Sequence, residues 1–230
     1  GQTGAAMATT NYVPARGTVS SWGDSYGNRV DRFLAGTAYL DGVRPSAIFA
    51  RGYYTRTVVA AWDWRNGQLT QRWVFDSNVS GSSYTTQGNH QLSIADADAD
   101  GKDEVMYGSM AINDNGSPMW NNNTHHGDAY HVGDFIPSRA GLEVFKPSEH
   151  TDQVADWMAD ARTGQIIWSH PSCGCDNGRG VASDIWAGSA GAESWSAAVA
   201  GLSNTSGQNI GRKPGSTNFL VWWDADTVRE

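Results

Sequence analysis

Three stretches of this 230-residue chain repeat one pattern at nearly fixed intervals. Val58-Val59-Ala60-Ala61-Trp62-Asp63-Trp64-Arg65-Asn66-Gly67-Gln68-Leu69 runs on to Trp73. Met110-Ala111-Ile112-Asn113-Asp114-Asn115-Gly116 runs on to Trp120, and Ala155-Asp156-Trp157-Met158-Ala159-Asp160-Ala161-Arg162-Thr163-Gly164-Gln165-Ile166-Ile167 closes on Trp168. In each, an apolar alternating run meets an Asp-containing turn that ends in Gly, and a short second run follows, which is the pattern of a β-hairpin. The turn glycines stand 49 and 48 residues apart.

A second unit recurs between these hairpins: Leu40-Asp41-Gly42 ahead of Ser46-Ala47-Ile48-Phe49-Ala50, Ala95-Asp96 ahead of Glu104-Val105-Met106-Tyr107, and Gly133-Asp134 ahead of Leu142-Glu143-Val144-Phe145. Each joins a short strand to an apolar strand through an Asp-containing loop. Two hairpins per period make four strands per period, the arithmetic of a β-propeller blade, and the length then accommodates four to five blades. A β-sandwich with fortuitous turn spacing is the bland alternative. The charged residues support an all-β chain: 19 Asp stand against 5 Glu and 13 Arg against 3 Lys, and Asp favours turns where Glu and Lys favour helices. Residues 151–162 pass for a short helix by composition, but their place in the repeat makes them strand. Residues 172–180 and 201–215, rich in Gly, Ser and Asn, read as exposed loops. No interdomain linker is evident.

A net charge of −8 with no basic block repels phosphate backbones, so nucleic acid is not expected as a partner. No apolar run approaches a membrane span. Residues 1–8 lack a start Met, a basic region and an apolar core, so maturation or truncation is expected to have produced this end. Cys173 and Cys175, one residue apart, cannot brace distant parts of the chain.

Chemistry concentrates in a few segments. Asp96-Ala97-Asp98-Ala99-Asp100-Gly101-Lys102-Asp103-Glu104 places carboxylates at alternating positions around a Gly and closes on a Glu. It predicts a compact calcium loop between two strands, with Asp96, Asp98, Asp100, Lys102 and Glu104 as its positions; the rival is an acidic solvated turn. His90, His126, Asp128 and Glu149 form a second candidate group, able to hold a metal or a proton-transfer site, but only the fold can bring them together. Asp24, Asn28 and Asp31 offer oxygen ligands for a second cation, against a capped turn in which Arg29 or Arg32 pairs with a carboxylate. Arg179, between Gly178 and Gly180, is placed to hold a carboxylate, against a surface turn arginine. His125, His131, His150 and His170 read as ordinary loop or strand histidines. Most tryptophans read as packing rather than as sugar platforms, and Trp222-Trp223-Asp224-Ala225-Asp226 reads as a core aromatic pair beside a loop. Triad, phosphate-loop and dinucleotide motifs are missing, so those chemistries are unsupported.

Taken together, Trp22-Gly23-Asp24-Ser25-Tyr26-Gly27-Asn28-Arg29-Val30-Asp31-Arg32-Phe33-Leu34-Ala35-Gly36, Arg51-Gly52-Tyr53-Tyr54, Gln87-Gly88-Asn89-His90, the 96–104 loop, His126-Gly127-Asp128-Ala129, Gly178-Arg179-Gly180 and Trp222-Trp223-Asp224 resemble the bacterial rhamnogalacturonan lyases of polysaccharide lyase family 11. The resemblance implies a secreted, extracellular enzyme with an eight-bladed β-propeller that binds several Ca2+ ions. It also implies cleavage of the rhamnose–galacturonate backbone of pectin by β-elimination, acidic plant cell-wall polysaccharide being the partner. It further implies a cleft metal on His90, His126, Asp128 and Glu149, and substrate contact by Arg179. Family members are more than twice this length, so residues 1–230 are expected to be a central part of the ring whose remainder supplies further cleft residues. The alternative is a non-catalytic, calcium-stabilised segment that binds acidic polysaccharide.

Overall fold

A computed structural model describes residues 2–80, 82–218 and 220. Its strands are β1 (Phe33–Ala38), β2 (Ser46–Arg51), β3 (Val58–Arg65), β4 (Gln68–Asp76), β5 (Ser93–Ala95), β6 (Glu104–Tyr107), β7 (Met110–Ile112) and β8 (Pro118–Asn121). There follow β9 (His131–Gly133), β10 (Glu143–Pro147), β11 (Asp156–Asp160), β12 (Ile166–His170), β13 (Gly180–Ser183), β14 (Glu193–Ser196), β15 (Leu202–Ser203) and β16 (Asn209–Gly211). They form four antiparallel sheets of four strands, each in chain order. The four-strand unit read from the repeat is therefore present, and residues 151–162 supply strand β11. No described helix is long and apolar enough to cross a membrane. The aromatic and acidic residues at 222–226 lie outside the described residues.

Two loop expectations are corrected. Residues 172–180 are not exposed throughout, because Asn177 and Gly178 are buried and Gly180 opens β13. Residues 201–215 are not an open loop, because β15 and β16 pair within them and complete the fourth sheet. Their turn glycine, Gly207, falls only 43 residues after Gly164, and Leu202 and Ile210 are the only large apolar residues there, so little alternation marks the strands.

The sheets stack because their middle strands are apolar on both faces, as strands covered on both sides must be. In β6, Val105 and Tyr107 join a core with Leu40, Ile48 and Val59 of the first sheet. Met106, pointing the other way, joins Val144, Trp157 and Ala159 of the third. In β10 and β11, Phe145 and Met158 turn in the same manner toward Ala182 and Ala192 of the fourth. Each such fully buried side chain contributes about 1.5–3 kcal/mol.

A second device ties neighbouring sheets. The hairpins carry a bulge whose extra residue stands just before the recurring Trp, between Ala61 and Trp62, Ala111 and Ile112, and Met158 and Ala159 of the partner strands. A bulge bends the strand and re-aims the next side chain. Trp73, Trp120 and Trp168 are thereby directed at the following sheet, where their indole N–H groups donate to the carbonyls of Asp114, Ala161 and Thr205 at 2.8, 2.8 and 3.0 Å. The indoles lie on the turn glycines 116, 164 and 207, where a Cβ would come within 2.6–2.7 Å of the ring. The packing role expected of these tryptophans is thus observed, with each on the glycine of the next hairpin rather than its own.

Candidate metal and carboxylate site

In an antiparallel sheet, the start of the first strand and the end of the second share one edge. The segments that enter β5, β9 and β13 therefore meet the segments that leave β2 and β10. That edge gathers His90, His126, Asp128, Arg179, Tyr53, Tyr54 and Glu149.

Main-chain bonds join the entering segments. His90 N–H donates to the Gly127 carbonyl at 3.1 Å, and the Asp128 and Ala129 N–H groups donate to the Gly178 carbonyl at 3.2 and 3.0 Å. Gly127 permits the approach, since a Cβ there would collide with the Pro147 carbonyl.

One ligand atom from each of His90, Asp128 and Glu149 falls within 4.8 Å of the others. Two oxygens bound at about 2.4 Å to a shared cation lie no farther apart than that. His90 Nδ1 is 2.5 Å from Asp128 Oδ1, and His126 Nε2 is 3.0 Å from Glu149 Oε2. Yet His90 Nε2, His126 Nε2, Asp128 Oδ1 and Glu149 Oε2 are all buried without a hydrogen bond. Buried polar atoms are rarely left so. Close approach without hydrogen-bond geometry is what a set of donors aimed at a common centre produces, so the residues fit a bound cation.

The surroundings hold this set in place. Tyr54 O–H donates to Glu149 Oε1 at 2.7 Å, and its ring packs edge-on against His126 with centroids 3.9 Å apart. Arg29 lies over the other side of Tyr54 at 4.4 Å. Burial pushes the Glu149 carboxyl up, but the nearby His126 and His90 rings and the Tyr54 hydroxyl outweigh that and hold it down at about 2. The carboxylate thus stays ionised, as a metal ligand must. Arg179, with its side chain 56% exposed, places Nε 3.2 Å from Asp128 Oδ2. The rest of its guanidinium is available to an incoming carboxylate. A cavity of about 460 Å³ bounded in part by Val132, Asp134, Phe135 and Asp184 contains none of these residues, whereas one of about 430 Å³ bounded in part by Leu34, Gln91 and Tyr130 includes His90.

The 96–104 loop joins β5 to β6 and so sits at the opposite edge. Asp96, Asp98 and Glu104 offer oxygens within 4.8 Å of one another. The Asp100 N–H donates to Asp96 Oδ1 and Asp98 Oδ1, and Gly101 N–H to Asp96 Oδ2, which wraps the loop around its own carboxylates. Glu104 is wholly buried; it accepts from Ala97 N–H through Oε2 while Oε1 has no partner. Asp100 and Lys102 differ from the rest: the Lys102 ammonium reaches Asp100 at 2.9 Å and Asp114 at 3.3 Å, so only its main-chain carbonyl remains as an oxygen donor.

Asp24, Asn28 and Asp31 lie elsewhere and are engaged otherwise. Asp31 bonds both Arg16 and Arg51 at 2.8 Å, Asp24 accepts from Tyr26 N–H and faces Arg29 at 3.8 Å, and Asn28 is exposed. That is the capped turn with ion pairs.

Sequence reasoning missed Tyr54, visible only as part of an Arg-Gly-Tyr-Tyr string. It also passed over His125 and His150, whose rings stack at 4.6 Å beside the site. Cys173 and Cys175 are joined to each other, closing a small ring in the loop ahead of Arg179.

Residues 1–230 match the model described as rhamnogalacturonan lyase family 11, C-terminal domain. The chain is 51% identical to the rhamnogalacturonan exolyase YesX of Bacillus subtilis, covering all of this chain and 39% of that protein. It is likewise 51% identical to the rhamnogalacturonan endolyase YesW of the same organism, covering all of this chain and 37% of that protein. The solved structure of a Bacillus licheniformis rhamnogalacturonan lyase superposes with a TM-score of 0.93 at 53% identity, over 99% of this chain and 39% of that one. The chain therefore spans about two fifths of the length of these relatives, and it belongs to rhamnogalacturonan lyase family 11.

Proposed function

We propose that this chain forms part of the cleft of an extracellular rhamnogalacturonan lyase that cleaves the rhamnose–galacturonate backbone by β-elimination. The observation that carries the reading is the convergence of ligand atoms from His90, Asp128 and Glu149, with His126 against Glu149, on a spot whose Asp128 also meets Arg179. We read the four sheets as four blades of a larger propeller. Support comes from their face-to-face stacking in chain order and from contact between successive first strands, β1 with β5 and β5 with β9. The Cys173–Cys175 bond is in keeping with an oxidising, extracytoplasmic setting.

Elimination across C4–C5 of a uronate needs its C6 carboxylate neutralised, a base for the C5 proton, and help for the departing C4 oxygen. His90, His126, Asp128 and Glu149 would hold Ca2+, and Asp96, Asp98 and Glu104 a second ion that braces the β5–β6 loop. When bound at the first group, Ca2+ supplies positive charge beside the carboxylate, which acidifies the C5 proton. Arg179 binds that carboxylate through the guanidinium nitrogens not turned to Asp128, since its planar fork matches two carboxylate oxygens. Tyr54 fixes the orientation of Glu149. The base is left to residues outside this assignment.

The test is release of unsaturated uronides, absorbing in the near ultraviolet, from rhamnogalacturonan I by the full-length protein. Turnover abolished by chelator and restored by Ca2+ is expected. Absence of turnover would overturn the reading. Binding without turnover would favour the second reading, a polysaccharide-binding domain, which the chain's partial span of its relatives keeps in view.

A further inference from the structure

We infer that Asp156, His170, Ser196 and Asn177 form one buried chain of contacts that positions Arg179; the inference rests on the carboxylate-binding role just proposed. The Arg179 side chain is mostly exposed and meets Asp128 through Nε, so the rest of its aim comes from its main chain.

That main chain is clamped on both sides. Ala197 N–H donates to the Arg179 carbonyl at 2.9 Å. Two residues earlier, fully buried Asn177 accepts from Ala198 N–H at 2.6 Å through Oδ1. Its Nδ2 donates to the Ala155 carbonyl at 2.7 Å and to Ser196 Oγ at 2.9 Å, and its own N–H donates to the Ser148 carbonyl at 3.1 Å. The 196–199 segment is fixed in turn. Ser196 Oγ–H donates to Asp156 Oδ2, and the Lys213 ammonium donates to the carbonyls of Ser196, Ala197 and Val199 at 2.5–2.9 Å.

Asp156, 1% exposed, is the junction. Its other oxygen meets His170 Nδ1 at 2.5 Å, and His170 Nε2 meets the Gly207 carbonyl at 2.9 Å. The contacts thus run from the turn of the fourth sheet, through the third, back to the residues flanking Arg179. Each polar group has a partner, and Ser196 has a single proton to give, so the direction of every bond is set. A buried carboxylate built into such a chain at the head of a strand does more than pair one histidine.

The His170 end also carries a pH dependence. Both of its partners are acceptors, so both ring nitrogens are satisfied only in the imidazolium. Asp156 beside it outweighs burial and raises its pKa. The groups facing it are Asp156, the Gly207 carbonyl and the Trp168 ring, with Lys213 acting on Asp156 from the far side. A raised folded-state pKa means the clamp is complete below the ordinary imidazole range and is lost as pH climbs through the raised value.

The experiment uses the full-length protein and the variants Asp156→Asn, Ser196→Ala, Ser196→Thr and Arg179→Ala, with turnover on rhamnogalacturonan I and amide hydrogen exchange as readouts. Asp156→Asn and Ser196→Ala are expected to raise KM by roughly tenfold or more, and Ser196→Thr, which keeps the hydroxyl, to restore it. Added to Arg179→Ala, Asp156→Asn should cost less than about twofold more, because residues acting through one group are not additive. Exchange at 177–179 and 196–198 should rise in Asp156→Asn and not in Arg179→Ala. A full additive loss in the double variant, or unchanged exchange at those amides, overturns the inference. A wild-type protein without turnover instead overturns the lyase reading, while the exchange arm still decides the clamp.

Discussion

The His90 group, two imidazoles and two carboxylates, and the all-carboxylate set of the 96–104 loop stand at opposite edges of one stack and are built by opposite means. The loop draws its carboxylates from nine consecutive residues and folds its own N–H groups around them. The His90 group takes single residues from segments spread over positions 90–149 and depends on the second and third sheets holding their relative places. Its buried donors lack hydrogen bonds, and Lys146, wholly buried in β10 beneath it, has no hydrogen-bond partner for its ammonium among the described residues. A contiguous set needs little beyond its own loop, whereas an assembled set with unpaired buried polar atoms costs the fold stability.

The sharpest way to break this contrast is to remove one donor from each edge of the full-length protein. His126→Ala should lower turnover on rhamnogalacturonan I by about 10²-fold or more, while leaving most of the calcium-dependent rise in Tm. An equal loss from a loop variant would erase the distinction.

Asp98→Asn should do the reverse. Saturating calcium at about 100 times Kd contributes about 2.7 kcal/mol, or roughly 5–10 °C for a domain of this size. Calorimetry with and without chelator should show most of that increment gone in the variant, with turnover at saturating calcium nearly intact.

Lys146 tests the cost at the assembled edge. Burial pushes its ammonium down to about 7, so between there and the ordinary lysine range the unfolded chain binds a proton that the folded chain does not. From this group alone, stability climbs as pH rises across that window. Lys146→Met should therefore raise stability near neutrality by about 1–3 kcal/mol and flatten the slope, measured by urea unfolding at several pH values. A destabilised Lys146→Met would mean that the amine has a partner worth keeping.

The smallest effect belongs to Asp24→Asn. Its carboxylate faces Arg29 at 3.8 Å and caps its own turn, so stability should move by no more than about 0.5 kcal/mol and bound calcium, counted by elemental analysis, should not change.

The same contrast explains what could be read in advance. The 96–104 loop was legible because its spacing is its geometry. The His90 group was visible as residue types, but its convergence depends on backbone contacts such as His90 with Gly127 and Asp128 with Gly178, which no spacing announces. Tyr54 and Asp156 were harder still, since a tyrosine after a strand and an aspartate at the head of one look like every other. Among strands, the three hairpins with a closing Trp stood out. The fourth did not, because β15 has only two residues and its hairpin carries Gly211 where the others carry Trp.

That glycine gives the indole joints a direction. Each of the three joints has a giving side, a tryptophan beyond a bulge, and a receiving side, a turn glycine with an accepting carbonyl nearby. Gly67 has nothing described within 4 Å of where its Cβ would stand, so the first sheet presents an empty receiver, while the fourth has no giver at the matching position. The two outer faces of the stack are therefore not interchangeable, and a head-to-tail array of copies could not reproduce the internal joint at its seams. An indole laid on Gly67 would repeat the internal joint at the first sheet.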